Sequence, residues 1–203
     1  MSTNNDSTQH VQIAVADPTP LGLFGLAVVT MVASAQKLGI VEGVSWVLPW
    51  ALFCGSFAQL LAGCHRNIFG ATIFSAFGFF WSAVGMSWMI KAGTFGPGLA
   101  AGVDPKAIGF AFLAYFIFAC IGTIAASSAS LFLFVDMVFI DILLLGLALD
   151  GLGIGGHFPH TMAAYAEMAV ALISLYGAGA GFLNNFYGRQ FWPVGAPLGI
   201  WKK

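Results

Sequence analysis

Residues Phe110–Ile121 read FAFLAYFIFACI, twelve positions without a charge or a break in apolar character. A barrel strand facing lipid on one side alternates polar and apolar residues over about ten positions. Nothing alternates here, so the stretch is a helix surrounded by apolar solvent. The same texture recurs along the chain. Extending each apolar run to the roughly 20 residues that cross a bilayer at 1.5 Å per residue predicts six spans. They are Leu21–Ile40, Val44–Cys64, Gly70–Ile90, Ala107–Ala126, Leu131–Leu149 and Met162–Leu183. Lys37 falls inside the first but near its end, where a lysine can snorkel. The predicted fold is an all-α membrane protein.

The composition agrees. Charged residues make up 7% of the 203 positions and hydrophobic ones 59%, whereas a soluble domain carries about 25% charged residues. Residues 1–16 are polar and have no basic start leading into an apolar core, so they read as a disordered tail rather than a cleaved signal. The transmembrane domain is expected over 17–195 and a short C-terminal tail over 196–203. Net charge is −1 with no basic tract, which excludes nucleic acid as a partner. Cys54, Cys64 and Cys120 form no CxxC pair and are expected as buried thiols, not disulfides or metal ligands. No metal site and no cofactor are expected, and no nucleophile–base cluster points to an enzyme.

An even number of spans puts both termini on one side. Arg66, Arg189, Lys202 and Lys203 lie there, against Lys37, Lys91 and Lys106 opposite. The positive-inside rule then places both termini in the cytoplasm of a multi-pass plasma-membrane protein.

Polar residues inside the spans are the candidates for chemistry. Gln59 must find a partner or line a wet cavity, because an unpaired amide at membrane depth costs several kcal/mol. An interhelical bond answers that need equally well. Asp136 and Asp141 share the fifth span. Five residues apart they point roughly 140° away from one another, so they do not build a two-carboxylate metal site. Proton handling, a helix-interface bond and a position in the headgroups all fit them. Glu167 can pair with a lysine or lie in the interface. His157 and His160 flank Phe158-Pro159 in the fifth loop, where a metal or pH role competes with ordinary polar surface. The loop at 91–106, rich in Gly and Pro, has the length to fold over a pore mouth. Gly177-Ala178-Gly179-Ala180-Gly181 would permit backbone contact between helices or protomers.

Four segments carry a resemblance. The first helix opens with Asp17-Pro18-Thr19-Pro20-Leu21-Gly22-Leu23. The second ends in Ala58-Gln59-Leu60-Leu61-Ala62-Gly63. The third opens with Asn67-Ile68-Phe69-Gly70-Ala71-Thr72-Ile73-Phe74 and continues to Gly78-Phe79-Phe80-Trp81. The last segment contains Leu183-Asn184, Gly188-Arg189 and Pro193-Val194-Gly195. In this order and spacing they resemble the acetate uptake transporters, the succinate–acetate permease family.

The resemblance implies six helices per protomer, a homohexamer and a pore through each protomer. It implies transport of acetate, with succinate and other small monocarboxylates as further cargo, by a channel or with proton coupling. The family's narrowest point is apolar, with one side chain each from helices one, three and five. By motif register these are Leu26, four positions after Gly22, Phe77, just before Gly78, and Met137. The ring would lack the hydroxyl that the family usually carries. Asp17 stands where the family has Asn, the turn after Gly63 is short, and Asp136 and Asp141 are acquired. Gln59, Thr30, Thr72 and Ser75 are expected to donate hydrogen bonds to the substrate. Asp136 and Asp141 are candidates for proton coupling. The alternative is a channel for a small neutral solute such as urea, an amide or ammonia. A retinal photoreceptor is excluded by the lack of a lysine within Met162–Leu183.

Overall fold

A computed structural model describes residues 16–64 and 67–200. Its helices are α1 Thr19–Lys37, α2 Val47–Trp50, a π-helix Ala51–Ala58, α3 Gln59–Ala62, α4 Ile68–Lys91, α5 Pro97–Ala101, α6 Pro105–Ala126, α7 Leu131–Gly151 and α8 Phe158–Tyr187. No strand occurs among the described residues. Five helices, α1, α4, α6, α7 and α8, are long and apolar enough to cross a membrane. The second expected span differs. It is a shorter apolar helix over Val47–Ala62, with α2, the π-helix and α3 running end to end. The expected range Val44–Cys64 overruns it at both ends, and ahead of it Gly39 and Gly43, both with φ of 71°, turn the chain.

Helix starts follow local chemistry. Asn67 accepts from the Phe69 N–H at 2.9 Å, and Asp104 from the Lys106 N–H at 2.9 Å. Ser130 accepts from the Leu133 N–H at 3.2 Å. Each side chain takes up a donor that the first helical turn leaves free. In α1 the N-cap position is Pro18, and Asp17 accepts from the Thr19 N–H at 2.9 Å. The 91–106 loop contains the short helix α5, with no buried residue. The tail expected over 1–16 lies, Ala16 apart, outside the described residues, as do Arg66, Lys202 and Lys203.

Packing runs α6 on α7, α7 on α8 and α8 on α1, while the π-helix joins α1 to α4. Two approaches are close enough to need glycine. A Cβ on Gly25 of α1 would collide with the Cys54 carbonyl oxygen of the π-helix, and one on Gly109 of α6 would stand 2.8 Å from the Gly151 carbonyl carbon of α7. Without an apolar driving force between helices in lipid, such close packing is what holds spans together. Within the chain the glycines of the small-residue run in α8 make room for rings rather than backbone: Gly177 receives the Phe132 ring, Gly179 the Trp192 ring and Gly181 the Pro20 ring. Large apolar side chains such as Phe53, Phe57, Phe79, Phe110 and Phe182 point outward, where a lipid tail costs them nothing.

The tail after α8 folds back. Gly188 ends the helix at φ 61° in the left-handed region. The Asn184 side chain then accepts from the N–H groups of Phe191 at 2.6 Å and Trp192 at 2.8 Å, and donates to the Trp192 carbonyl at 2.8 Å. Tyr176 stacks on Trp192 with centroids 5.4 Å apart and donates to the Pro193 carbonyl at 2.7 Å. Further on, the Leu198 N–H donates to the Ser127 carbonyl at 2.9 Å.

Candidate functional site

A narrow cavity lies between α1, α3, α4 and α7. Its walls are Leu23 and Leu26 from α1, Gln59 from α3, Phe69, Ile73, Phe74 and Phe77 from α4, and Leu133, Asp136, Met137 and Ile140 from α7. The space open to the centre of a water molecule is about 20 Å³, room for about one water. Leu26, Phe77 and Met137 are 6%, 4% and 3% exposed. Three helices thus bring these three apolar side chains to the wall of one cavity.

Each is held by its surroundings. Phe77 lies 6.1 Å from Phe80 and 6.2 Å from Tyr115, centroid to centroid. Tyr115 is in turn fixed by its hydroxyl, which donates to the Ala76 carbonyl at 3.1 Å. Edge-to-face and tilted ring pairs of this kind add to simple burial. Met137 reaches against Gly122 of α6, where a Cβ would stand 2.9 Å from the Met137 methyl. The backbone beneath Leu26 is bonded by Thr30, whose hydroxyl donates to the Leu26 carbonyl at 2.7 Å.

Two polar side chains interrupt the apolar wall. Gln59 is fully buried. The π-turn explains its pose. The Gln59 backbone N–H bonds the Ser56 carbonyl, and its side-chain Nε2 takes the Gly55 carbonyl at 2.7 Å. A side chain inserted into the helical ladder in this way is a known accompaniment of altered winding. One N–H of Nε2 is thereby committed to the helix and the second is left over, while Oε1 finds no donor among the described residues. Asp136 is 2% exposed. Its Oδ2 accepts from the Ser174 hydroxyl of α8 at 2.9 Å, and its Oδ1 also finds no donor.

The other expected residues stand elsewhere. Thr30 is buried but bonded to its own helix, and it is not part of the cavity wall. Thr72 is exposed on the outer side of α4, and Ser75 sits against Gly63. Asp141 accepts from the Thr123 hydroxyl of α6 at 2.7 Å and does not line the cavity. The two carboxylates of α7 therefore turn to opposite neighbours, as their spacing demands. Of the motif residues, Gly22 and Leu23 are buried in the α1 packing, Gly70 is buried in α4, Leu21 is exposed, and Pro18 and Pro20 open α1. Asn67 caps α4. His157 and His160 stack at 5.6 Å, and no group of three or more His, Cys, Asp or Glu is placed to hold a metal among the described residues. Glu167 pairs with Lys37 at 2.9 Å.

Sequence reasoning missed Ser174 as the partner of Asp136. Its signal was available, since a hydroxyl within an apolar helix interior must also find a partner. The further aromatic wall, Phe69 and Phe74, carried no distinguishing signal.

Several apolar helices long enough to span a membrane, packed around a narrow interior cavity, are the architecture of a multi-pass membrane protein of the transporter or channel class. The family model described as GPR1/FUN34/yaaH matches residues 2–192. The chain belongs to that family. It is 26% identical over 189 residues to the succinate-acetate/proton symporter SatP of Escherichia coli K12, covering 89% of this chain and 96% of that protein. It is 30% identical over 143 residues to acetate permease A of Emericella nidulans, covering 62% of this chain and 47% of that one. Among solved structures it matches the bacterial acetate channel SatP with a TM-score of 0.82 at 22% identity, over 90% of this chain and 100% of the other. That likeness establishes the fold.

Proposed function

We propose that this protein conducts acetate, with succinate and other small carboxylates as further cargo, across the plasma membrane. The observation that carries the reading is the convergence of Leu26, Phe77 and Met137 on one narrow cavity. A small carboxylate must shed its water to pass such a ring, so the ring admits small cargo and holds back large or strongly hydrated ions. The names of the relatives supply the substrate class. In this reading Gln59 and Asp136 are the polar groups beside the constriction, while Thr30, Thr72 and Ser75 fall outside the wall and leave the pathway. The protein is a passage rather than an enzyme. The same reading gives a homohexamer with a pore in each protomer and both termini in the cytoplasm.

The test is uptake of labelled acetate into proteoliposomes, with and without an inward proton gradient. Protein-dependent uptake is expected. Uptake driven by acetate concentration alone indicates a channel, and uptake that requires the gradient and collapses with a protonophore indicates symport. No uptake by folded protein overturns the proposal. The second reading, a channel for a neutral solute, is favoured by the absence of any hydroxyl in the Leu26–Phe77–Met137 ring. Competition by urea but not by acetate would select it.

A further inference from the structure

The cavity walled by Leu26, Phe77 and Met137 has room for about one water, so a carboxylate passes only when part of the wall yields. A close-packed interior yields only where there is space for the displaced atoms. Two of the three side chains have little. Leu26 follows Gly25, where α1 meets the Cys54 carbonyl of the π-helix, and the Met137 methyl lies against Gly122 of α6. Phe77 differs. Its ring is backed by the Tyr115 ring of α6, centroids 6.2 Å apart, and Tyr115 also lies 5.0 Å from Phe80. Beyond Tyr115 a groove of about 270 Å³ runs between α4 and α6, lined by Ala76, Ala114, Tyr115 and Phe118. Phe77 lines the cavity and not the groove, and Tyr115 the groove and not the cavity, so the two rings stand in series between them. Around the groove α4 and α6 touch only lightly. The Tyr115 hydroxyl ties them together there, donating at 3.1 Å to the carbonyl of Ala76, the residue directly before Phe77.

We infer that Tyr115 is a positioning residue for Phe77: its ring and its hydroxyl latch Phe77 into the cavity wall, and the groove between α4 and α6 is the space into which the two rings retreat when cargo passes. The inference rests on the proposed transport function and names the side of the wall that moves. Tyr115 stands one layer behind the cavity, so it acts through Phe77 and not on the cargo. A single neutral hydrogen bond is a weak enough tie to open and close during transport.

Tyr115→Phe removes the latch and keeps the ring. Uptake of labelled acetate and of a labelled five-carbon acid is compared in proteoliposomes of the wild type and this variant. The five-carbon acid should gain about fivefold relative to acetate. An unchanged ratio, whatever happens to the two rates, would overturn the latch. Ala114→Leu fills the groove from α6. The cost of overpacking then falls on the retreated rings alone, so acetate uptake should fall about tenfold while the melting temperature holds. Uptake equal to that of the wild type would remove the groove as the space for retreat. A readout independent of transport, and of whether Ala114→Leu folds, is the fluorine NMR spectrum of protein carrying para-fluorophenylalanine at position 77. Tyr115→Phe should broaden or split its resonance, and a resonance left single and sharp would end the positioning role. If the wild-type protein moves no acetate, the transport proposal fails on its own, and the same spectrum still decides for or against the latch.

Discussion

Lys37 Nζ on α1 lies 2.9 Å from Glu167 Oε2 on α8, with side chains 13% and 1% exposed. One turn away, Ser34 of α1 donates to the Ala164 carbonyl of α8 at 2.9 Å. Removing one member of a buried ion pair costs about 3–5 kcal/mol, because the other charge stays behind without a partner. Lys37→Met should therefore lower the melting temperature in detergent sharply. Replacing both residues, Lys37→Met with Glu167→Leu, should restore most of it. Equal losses in the single and double variants would contradict the pairing.

Phe77→Ala removes the largest ring at the constriction. The cavity it leaves should cost about 3–5 kcal/mol in stability and raise the rate for branched and longer carboxylates relative to acetate. Phe77→Leu should keep most of the selection. The check is the ratio of initial uptake rates for acetate and a five-carbon acid in the same vesicles; an unchanged ratio in Phe77→Ala would place the gate elsewhere.

Asn184 fastens the C-terminal tail through two accepted bonds and one donated bond. Asn184→Ala should free the segment from Phe191 onward at a cost of about 1–3 kcal/mol. Limited proteolysis should then cut the tail before the helices. Because Trp192 leaves its stack on Tyr176, tryptophan emission should shift as well. Asn184→Asp retains the two accepting bonds but sets a carboxylate oxygen against the Trp192 carbonyl, so it should fall between wild type and Asn184→Ala.

Gly109 and Gly151 let α6 and α7 touch backbone to backbone. Gly109→Val should force the helices apart and destabilise the protein by about 1–3 kcal/mol. Gly98, which has open space around it, should accept the same change within about 0.5 kcal/mol. A thermal melt of both variants decides between them, and equal losses would refute the close approach.

The helical spans were legible because lipid leaves few options: continuous apolar runs can satisfy their backbone only as helices. The N-caps at Asn67 and Asp104 are local too, each side chain accepting from the N–H two residues on. The π-turn at Ala51–Ala58 was not legible, since nothing in ALFCGSFA distinguishes it from ordinary helix. Gly25 of α1 packs against its Cys54 carbonyl and Trp81 of α4 against its Gly55, contacts that the local sequence does not display. The hydrogen-bond donors expected at Thr30, Thr72 and Ser75 came from residue type alone, and the face each side chain presents is set by helix rotation, which residue type does not encode.

From the sequence alone came the solvent, the number of apolar segments, the family motifs and the opposed directions of Asp136 and Asp141, because each depends on composition or on a fixed angle per residue. Tertiary structure decided which polar groups meet. Asp136 found Ser174 thirty-eight positions away and Lys37 found Glu167 at a separation of 130. Such pairings depend on the rotation and depth of two helices relative to each other. Those are settled by contacts distributed over whole faces, at glycines such as Gly25 and Gly109, and by no single local signal.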